Sequence, residues 1–480
     1  MLSLEELLSC YGPVPAGDAP VPAQTFSGVT IDSRRCLPGE LFVALRGERQ
    51  DGHDFIPEAL TKGCGAVMAS RERVPEAMIP KLGTRTYRWQ GDAWQCFGPA
   101  DARAALVLVP DPLEGLQRFA ARHRASFQPV VVGVTGSVGK STTKEAIAAV
   151  LSQGFRTLKS VASYNNEIGL PLTLLQLRPE HQAVVLEMGT YGPGEIRLLA
   201  EIARPQIGVV TNVSHSHLER MRTLERIAQA KSELPASLPA EGLAVLNGDE
   251  VLVRRMADVT PARVLLFGTE PHCHLKASDV RSLGLEGIAF TVEFEGERRV
   301  LRCALLGRHS LYSALPAIAV GRSLGLSWQA IEAGLQDPGA RLRLLPVAGP
   351  RGSLLLDDTY NASPFSCRAA LEFLAELPGR HIAVLGDMLE LGPYEEEGHR
   401  QVGHWAAGRV DALVLLGPRS RWIAEGAKAH GFPAERIYQA SDHDDAARWL
   451  LARLQPGDVV LFKGSRAMEM ERVITALCGR

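Results

Sequence analysis

A glycine-rich turn between an apolar strand and a helix constrains the fold of this chain more than any other feature. Residues 130–135 are mostly β-branched, Gly133, Gly136 and Gly139 stand three residues apart, and a helical pattern begins at Lys140. Glycines at such a turn let backbone N–H groups approach an anion, and the positive end of the next helix adds to the attraction. The pattern predicts a phosphate-binding loop at the edge of a parallel α/β sheet.

The residues after the third glycine indicate that the phosphate belongs to a nucleoside triphosphate. Lys140 can reach the β- and γ-phosphates, and the hydroxyl of Ser141 can bind Mg²⁺. Val134 stands where the strict motif has its first glycine, so the turn is a variant, and a tight turn without a ligand is the alternative. The predicted nucleotide-binding residues are Thr135, Gly136, Ser137, Val138, Gly139, Lys140, Ser141 and Thr142.

Length and composition narrow the class of protein. A chain of 480 residues is too long for one core and suggests about three domains. A formal net charge of −2, with acids and bases interspersed, favours small-molecule partners over nucleic acid. The eight cysteines lack metal-binding spacing, which is typical of a reduced cytoplasmic protein. Without a basic leader or an apolar run of about 18 residues, we predict a cytoplasmic chain with no membrane insertion, and we expect a monomer.

Strand and helix patterns predict three α/β domains, with boundaries after residues 110 and 338. Residues 111–338 hold the phosphate loop in a doubly wound sheet, whose ligands should lie beyond the carboxyl ends of its strands. Residues 339–480 alternate strands and helices again, which predicts a Rossmann-like domain. The predicted strands are 26–31, 40–45, 65–69, 183–186, 207–211, 353–356, 381–385, 412–416 and 458–462.

Polar residues follow two strands of the central domain. Glu187 comes directly after the strand 183–186, and a carboxylate there suits Mg²⁺ on a triphosphate, although a solvated strand-end acid is the alternative. His217 lies in the loop after the strand 207–211. Position alone favours an ordinary surface histidine at His217.

Lys231 interrupts the apolar stripe of a predicted helix. It stands four residues after Ile227 and three before Leu234, so all three side chains share one face. We therefore expect Lys231 to face inward. Either its ammonium group extends along the apolar surface to reach water, or burial lowers the pKa of the amine and makes it reactive.

Two polar clusters follow strands of the third domain. Asp358 and Asn361 come after the strand 353–356, and Asp387 comes after the strand 381–385. Polar loops at the ends of strands predict one wall of a ligand cleft, but loops of a purely structural sheet fit the pattern equally well.

Taken together, segments in all three domains resemble the Mur ligase family, the ATP-dependent amide ligases of peptidoglycan precursor synthesis. The segments that carry the resemblance are 32–34, 38–42, 51–55, 135–141, 164–171, 187–189, 217–218, 230–233, 307–309, 357–361, 386–392 and 463–466. The chain departs from the family at Ser310 and Ser313, where asparagines are usual, and at Ala340, which separates Gly339 from Arg341.

The resemblance implies that ATP and Mg²⁺ are cofactors and that D-alanyl-D-alanine is joined to a UDP-N-acetylmuramoyl-tripeptide. The first domain then binds the uridine nucleotide, the second binds ATP, and the third binds the incoming dipeptide. The implied substrate-binding residues are Ser33, Arg34, Tyr164, Asn165, Asn166, Asn361 and Asp387; His309 and Asp358 join the nucleotide site. The implied metal ligands are Ser141, Glu187, His217 and Lys231, with Lys231 carbamylated, and the implied catalytic residues are Lys140, His217, Lys231 and Arg341.

Other functions remain as alternatives at this point. A diaminopimelate- or lysine-adding ligase and a folylpolyglutamate synthase share the implied fold, but the third domain lacks the Asp-Asn-Pro-Arg sequence of the amino-acid-adding enzyme and has Gly386-Asp-Met-Leu-Glu-Leu391 instead. A P-loop ATPase or kinase would not depend on an amine acceptor. A catalytically silent homologue is disfavoured, because all the residues implied for the phosphate and metal sites are present: Lys140, Ser141, Glu187, His217 and Lys231.

Overall fold

The structure is a computed structural model that describes residues 2–14, 21–47, 50–161, 164–214, 221 and 223–479. The helices are α1 (Leu4–Ser9), α2 (Ile56–Thr61), α3 (Ile79–Leu82), α4 (Pro112–Ala125), α5 (Lys140–Leu151), α6 (Gly169–Leu174), α7 (Glu195–Ala203), α8 (Leu224–Ala236), α9 (Val251–Arg254), α10 (Leu311–Ser323), α11 (Trp328–Leu335), α12 (Pro364–Glu376), α13 (Glu395–Ala407), α14 (Arg421–Ala429), α15 (His443–Arg453) and α16 (Glu471–Cys478). In the part of the chain that the structure describes, no helix has both the length and the apolar character needed to cross a membrane.

The strands are β1 (Val29–Thr30), β2 (Leu41–Val43), β3 (Ala66–Ser70), β4 (Arg85–Trp89), β5 (Trp94–Phe97), β6 (Ala105–Val109), β7 (Val130–Thr135), β8 (Thr157–Lys159), β9 (Ala183–Glu187), β10 (Ile207–Val210), β11 (Leu243–Asn247), β12 (Arg263–Gly268), β13 (Leu275–Ser282), β14 (Ile288–Phe294), β15 (Glu297–Cys303), β16 (Leu345–Ala348), β17 (Leu354–Asp358), β18 (His381–Gly386), β19 (Ala412–Leu416), β20 (Ile437–Ala440) and β21 (Val459–Lys463).

The described strands form three largely parallel sheets, which confirms the predicted α/β class. The first has the order β1-β2-β3-β6-β4-β5, with β5 antiparallel to β4. The second has the order β15-β14-β13-β12-β11-β10-β7-β9-β8, with antiparallel strands at its β15 edge. The third has the order β16-β17-β21-β18-β19-β20, with β16 antiparallel to β17.

The chain divides into two compact units. The first comprises Met1–Val131, Leu158–Leu186 and Arg197–Arg204, and the second comprises Val132–Thr157, Glu187–Ile196 and Pro205–Arg480. The first sheet lies in the first unit and the third sheet in the second. The domain boundaries predicted after residues 110 and 338 do not coincide with this division and stay predictions.

The predicted strands are all present, although the segments 26–31 and 40–45 of the first sheet contain shorter strands than predicted. The segment 26–31 contributes Val29–Thr30 alone, because the backbone N–H of Phe26 donates to the carbonyl of Leu2 and not to the sheet. Helix α4 begins directly after its N-cap Asp111, whose side chain accepts the N–H of Leu113 at 2.8 Å.

Alternate residues of β18 face opposite sides of the third sheet. Ala383 and Leu385 pack into a core with α12, α13 and α14. Ile382 and Val384 pack into a second core with α15 and α16. Because helices cover both faces, this sheet is doubly wound, and ligands can approach it only beyond the ends of its strands.

Strands β7 and β10 are parallel neighbours whose last paired residues are Thr135 and Val210. The loop after Thr135 and the segment after Val210 therefore leave the sheet side by side. This register brings the predicted phosphate loop against residues 211–214.

Candidate functional site

The loop between β7 and α5 has the backbone form that anion binding requires. Gly139 has a φ of 84°, a conformation that favours glycine, and a side chain at Gly136 would collide with Thr211. Gly139 is the N-cap of α5, and no side-chain hydrogen bond caps the helix in the described structure. The helix itself leaves its first N–H groups without partners, so those of Lys140, Ser141 and Thr142 can bind a phosphate.

Lys140 lies folded over the loop. Its Nζ donates to the carbonyl oxygens of Gly136 at 2.8 Å and Ser137 at 3.2 Å. Burial lowers the pKa of Lys140, the charge of Glu187 opposes this shift, and the charge of Arg343 adds to it. The ammonium group must leave the two carbonyls to reach a γ-phosphate.

Glu187 and Lys231 are both buried close to Lys140. Glu187 is 2% exposed at the end of β9, and the next residue, Met188, donates its N–H to Val134 in β7 at 2.8 Å. Lys231 is 3% exposed, which confirms that it faces inward from α8. Burial lowers its pKa well below the ordinary value, and the charge of Lys140 lowers it further.

The donor atoms near the loop fit Mg²⁺. Ser141, the second residue of α5, supplies a hydroxyl, and Glu187 supplies a carboxylate; oxygen atoms of these kinds are the ligands that Mg²⁺ prefers beside a triphosphate. His217 lies outside the described residues. Among the residues that are described, no group of three or more His, Cys, Asp or Glu side chains is arranged to bind a metal.

Two arginines before β16 have different surroundings. The guanidinium of Arg341 donates to the carbonyl oxygens of Ala304 at 2.7 Å and Leu285 at 3.1 Å. The guanidinium of Arg343 lies 3.9 Å from the ring centroid of Tyr360. Its positive charge contributes to the lowered pKa of Lys140. The family resemblance implies Arg341 as the phosphate-facing arginine, and no local pattern distinguishes the two arginines.

A buried ion pair underlies the predicted nucleotide-binding residues of the third sheet. Lys463 Nζ donates to Asp358 at 2.5 Å and to the backbone carbonyl of Asn361 at 2.9 Å. The protein atoms packed around His309 lower the pKa of its imidazole to about 4, against the opposing charge of Asp358. His309, Asp358 and Lys463 thus form one cluster, and the family resemblance implies the first two for the nucleotide site.

A cavity of about 370 Å³ opens beside His309. Its charged lining residues are Arg308, Glu372, Glu376 and Arg409. The serines that replace the usual asparagines already have partners, since Ser310 donates to the carbonyl of Leu306 at 2.7 Å and Ser313 accepts the hydroxyl of Thr143 at 3.0 Å. Neither serine reproduces the two-donor amide of an asparagine.

Asp387 connects two loops of the third sheet. Its Oδ1 accepts the backbone N–H of Ser420 at 2.8 Å, and its Oδ2 lies 3.7 Å from the guanidinium of Arg419. The side chain is 1% exposed. In this structure Asp387 therefore orders the start of α14, and its predicted contact with substrate stays a prediction.

In the first unit, the residues predicted to bind the UDP-linked substrate are differently placed. Ser33 is 5% exposed and donates to Glu58 at 3.1 Å, whereas Arg34 is exposed and forms two 2.9 Å hydrogen bonds with Asp32. Of these two residues, Arg34 is therefore the one that presents its side chain to solvent.

Residues 164–166, also in the first unit, precede α6. The ring of Tyr164 is exposed, Asn165 is partly exposed, and Asn166 Oδ1 accepts the N–H of Gly169 at 2.9 Å. The amide group of Asn166 retains its Nδ2–H₂ donors for a substrate.

Family models match most of the chain. A Mur ligase family catalytic domain matches residues 25–124, a Mur ligase middle domain matches residues 134–321, and a Mur ligase glutamate ligase domain matches residues 341–466. The phosphate loop lies in the second match, and the Asp358 cluster lies mainly in the third.

Relatives align over almost the whole chain. The UDP-N-acetylmuramoyl-tripeptide–D-alanyl-D-alanine ligase of Synechocystis is 38% identical over 94% of this chain and 92% of its own. The enzyme of the same name from Bacillus subtilis is 34% identical over 94% of this chain and 93% of its own.

Solved structures agree with these alignments. A structure of MurF from Acinetobacter baumannii has a TM-score of 0.84 at 28% identity and covers 100% of this chain and 99% of its own. MurF ligase from Thermotoga maritima in complex with ADP has a TM-score of 0.77 at 29% identity and covers 94% of this chain and 97% of its own.

Proposed function

The chain belongs to the Mur ligase family, and we propose that it joins D-alanyl-D-alanine to UDP-N-acetylmuramoyl-tripeptide with cleavage of ATP. The relatives that carry this activity in their names align over 94% of the chain. The reaction is a step of peptidoglycan synthesis, and we propose that it takes place in the cytoplasm and that the chain works as a monomer.

The proposed reaction has two steps. The terminal carboxylate of the tripeptide attacks the γ-phosphorus of ATP, which forms an acyl phosphate and releases ADP. The neutral amine of D-alanyl-D-alanine then attacks the acyl carbon, releases inorganic phosphate and loses a proton as the amide forms. Charge neutralisation at the phosphoryl group and orientation of the reactants lower the activation free energy of both steps.

The loop and its neighbours supply the proposed phosphate contacts. The N–H groups at the start of α5 bind the β- and γ-phosphates, and Lys140 moves from the loop carbonyls to the γ-phosphate. Ser141 and Glu187 would hold Mg²⁺, which would supply charge neutralisation for phosphoryl transfer, and His217 is proposed as a further ligand by resemblance alone.

Arg343 is a better candidate than Arg341 for an arginine that faces the phosphates. Its charge reaches Lys140, which supports a place beside the phosphate site. Arg341 donates from Nε to the carbonyl oxygen of Ala304 and from Nη2 to that of Leu285, which supports a part in holding the central domain to the third.

We propose that Lys231 is carbamylated. A neutral amine adds CO₂ and releases a proton, so the group that results carries a negative charge where Lys231 had a positive one. Burial and the nearby Lys140 both favour the neutral amine that this reaction needs. The anionic carbamate would then face Lys140, and an opposite charge there offsets the cost of burying it.

The remaining predicted residues have proposed roles on the substrate side. His309 and Asp358 are proposed near the nucleotide, with His309 neutral at pH 7 because of its lowered pKa. Ser33, Arg34, Tyr164, Asn165 and Asn166 are proposed for the UDP-linked substrate, and Asn361 and Asp387 for the dipeptide.

The observation that carries the proposal is the grouping of Lys140, Glu187, Lys231 and Arg343 around a phosphate loop, in a chain that aligns end to end with ligases of this name. Release of phosphate from ATP should require both the UDP-tripeptide and D-alanyl-D-alanine, and the amide product should form in equal amount.

The same assay separates the alternatives. Phosphate release at the same rate with and without D-alanyl-D-alanine would indicate an ATPase. Joining of diaminopimelate or lysine to a UDP-linked dipeptide would indicate the amino-acid-adding ligase. Lys140→Ala, which keeps the loop but lacks its cation, serves as the low-activity control.

A further inference from the structure

The backbone of Val138, in the phosphate loop, is bound on both sides by the segment after β10. Thr211 Oγ1 donates to the carbonyl of Val138 at 2.7 Å, and Asn212 Nδ2 donates to it at 2.8 Å. Asn212 Oδ1 accepts the N–H of Val138 at 2.9 Å. The carboxamide of Asn212 thus pairs with both polar groups of one residue, as a neighbouring strand would.

This pairing sets the direction of the next backbone donor. The peptide between Val138 and Gly139 is trans and planar, so its N–H points away from its carbonyl. Thr211 and Asn212 hold the carbonyl toward themselves and therefore direct the N–H of Gly139 to the opposite side. That N–H belongs to the N-cap of α5, where the helix also favours an anion.

Ser137 connects the loop to the same segment. Its N–H donates to the carbonyl of Asn212 at 3.0 Å, and its hydroxyl donates to Ser214 at 3.1 Å and accepts the N–H of Ser214 at 2.9 Å. The backbone N–H groups of Ser137 and Val138 are therefore used inside the protein. The phosphate donors of the loop accordingly begin at Gly139.

We propose that Asn212, assisted by Thr211, is a positioning residue that holds the Gly139 N–H toward the phosphates before the nucleotide binds. This inference rests on the proposed function, because it takes ATP as the ligand of the loop. Donors that are already oriented cost little to organise on binding, so loss of the Asn212 carboxamide should weaken nucleotide binding and not binding of the UDP-linked substrate.

Asn247 offers a matched control. It is the last residue of β11, its Nδ2 donates to the carbonyl of Thr211 at 2.8 Å, and its Oδ1 accepts the N–H of Asp249 at 3.1 Å. Asn247→Ala removes a buried carboxamide from the neighbouring strand end but leaves both polar groups of Val138 with their partners.

Calorimetric titration with Mg²⁺ and ADP, on the full chain, tests the assignment. Asn212→Ala should weaken ADP binding about tenfold or more, whereas Asn247→Ala should stay within about twofold of wild type. The KM for the UDP-tripeptide should be unchanged in both. Equal losses in the two variants, or wild-type affinity in Asn212→Ala, would overturn the inference.

Thr211 provides a second test in case Asn212→Ala does not fold. Thr211→Val keeps the shape of the side chain but removes one donor to Val138, so it should weaken ADP binding. Thr211→Ser keeps the hydroxyl and should bind ADP as the wild type does. If both bound ADP as wild type does, the positioning role would be wrong. A wild-type chain that bound no ADP would instead overturn the proposed function itself.

Discussion

The amine of Lys231 is buried within the electrostatic reach of the ammonium group of Lys140. Burial is the larger cause of its lowered pKa, and the charge of Lys140 is the second. Two cations placed near each other in a buried site repel, so one of them is favoured in its neutral form. The pair therefore favours the neutral amine that the proposed carbamylation of Lys231 needs, and a carbamate there would replace repulsion by attraction.

We expect Lys231→Arg to be nearly inactive, although it keeps the positive charge. A guanidinium does not lose its proton in proteins and cannot add CO₂. Removal of CO₂ should likewise lower the activity of the wild type, and bicarbonate should restore it. A crystal structure of the active enzyme with Mg²⁺ whose density at Lys231 ended at Nζ would exclude the carbamate.

Lys140→Ala should lower kcat/KM on the order of a hundredfold, about 3 kcal/mol, because a cation next to the transferring phosphoryl group is lost from a site that excludes water. Steady-state kinetics with saturating UDP-tripeptide would measure the change. Activity within about threefold of wild type would contradict the proposal that this loop binds the phosphates of ATP.

Arg343→Ala should lower kcat by about one to two orders of magnitude with little change in the melting temperature, because its charge lies near Lys140. Arg341→Ala should mainly lower the melting temperature, because the carbonyls of Ala304 and Leu285 lose their donor. Kinetics and thermal unfolding of the two variants, measured side by side, separate the roles. If Arg341→Ala lowered kcat and Arg343→Ala lowered the melting temperature, Arg341 would be the arginine that contacts the phosphates.

Stability should fall as the pH is lowered from about 6.5 to about 4, in part through His309. Its pKa of about 4 in the folded chain lies below the ordinary value, so the unfolded state binds more protons in this window. The contribution of His309 to the free energy of unfolding is therefore fully present above pH 6.5 and is lost as the pH falls toward 4. His309→Gln should flatten the dependence of the melting temperature on pH in this range, and an unchanged slope would contradict the assignment.

Local chemistry explains what the sequence predicted well. The strand 130–135, the turn and the helix α5 follow from β-branched residues, glycines and a helical pattern that lie next to one another in the chain. The inward position of Lys231 follows from the helical period alone, since Ile227 and Leu234 define the buried face. Predictions of this kind need no knowledge of distant residues.

Contacts between distant segments decided the rest. The role of Ser33 depends on Glu58, which lies 25 residues away, and the place of Arg341 depends on carbonyl oxygens 37 and 56 residues away. Asn212 carried no motif, yet the parallel register of β7 and β10 sets it against Val138, 74 residues earlier.

The sequence by itself therefore determined the phosphate loop, the α/β class and a lysine that faces the core, because each depends on spacing along the chain. Only the tertiary structure decided which arginine has a charge that reaches Lys140 and which asparagine orients the loop. Hydrogen bonds act over about 3 Å. A side chain between two possible partners is thus assigned only when the fold has brought one of them within that distance.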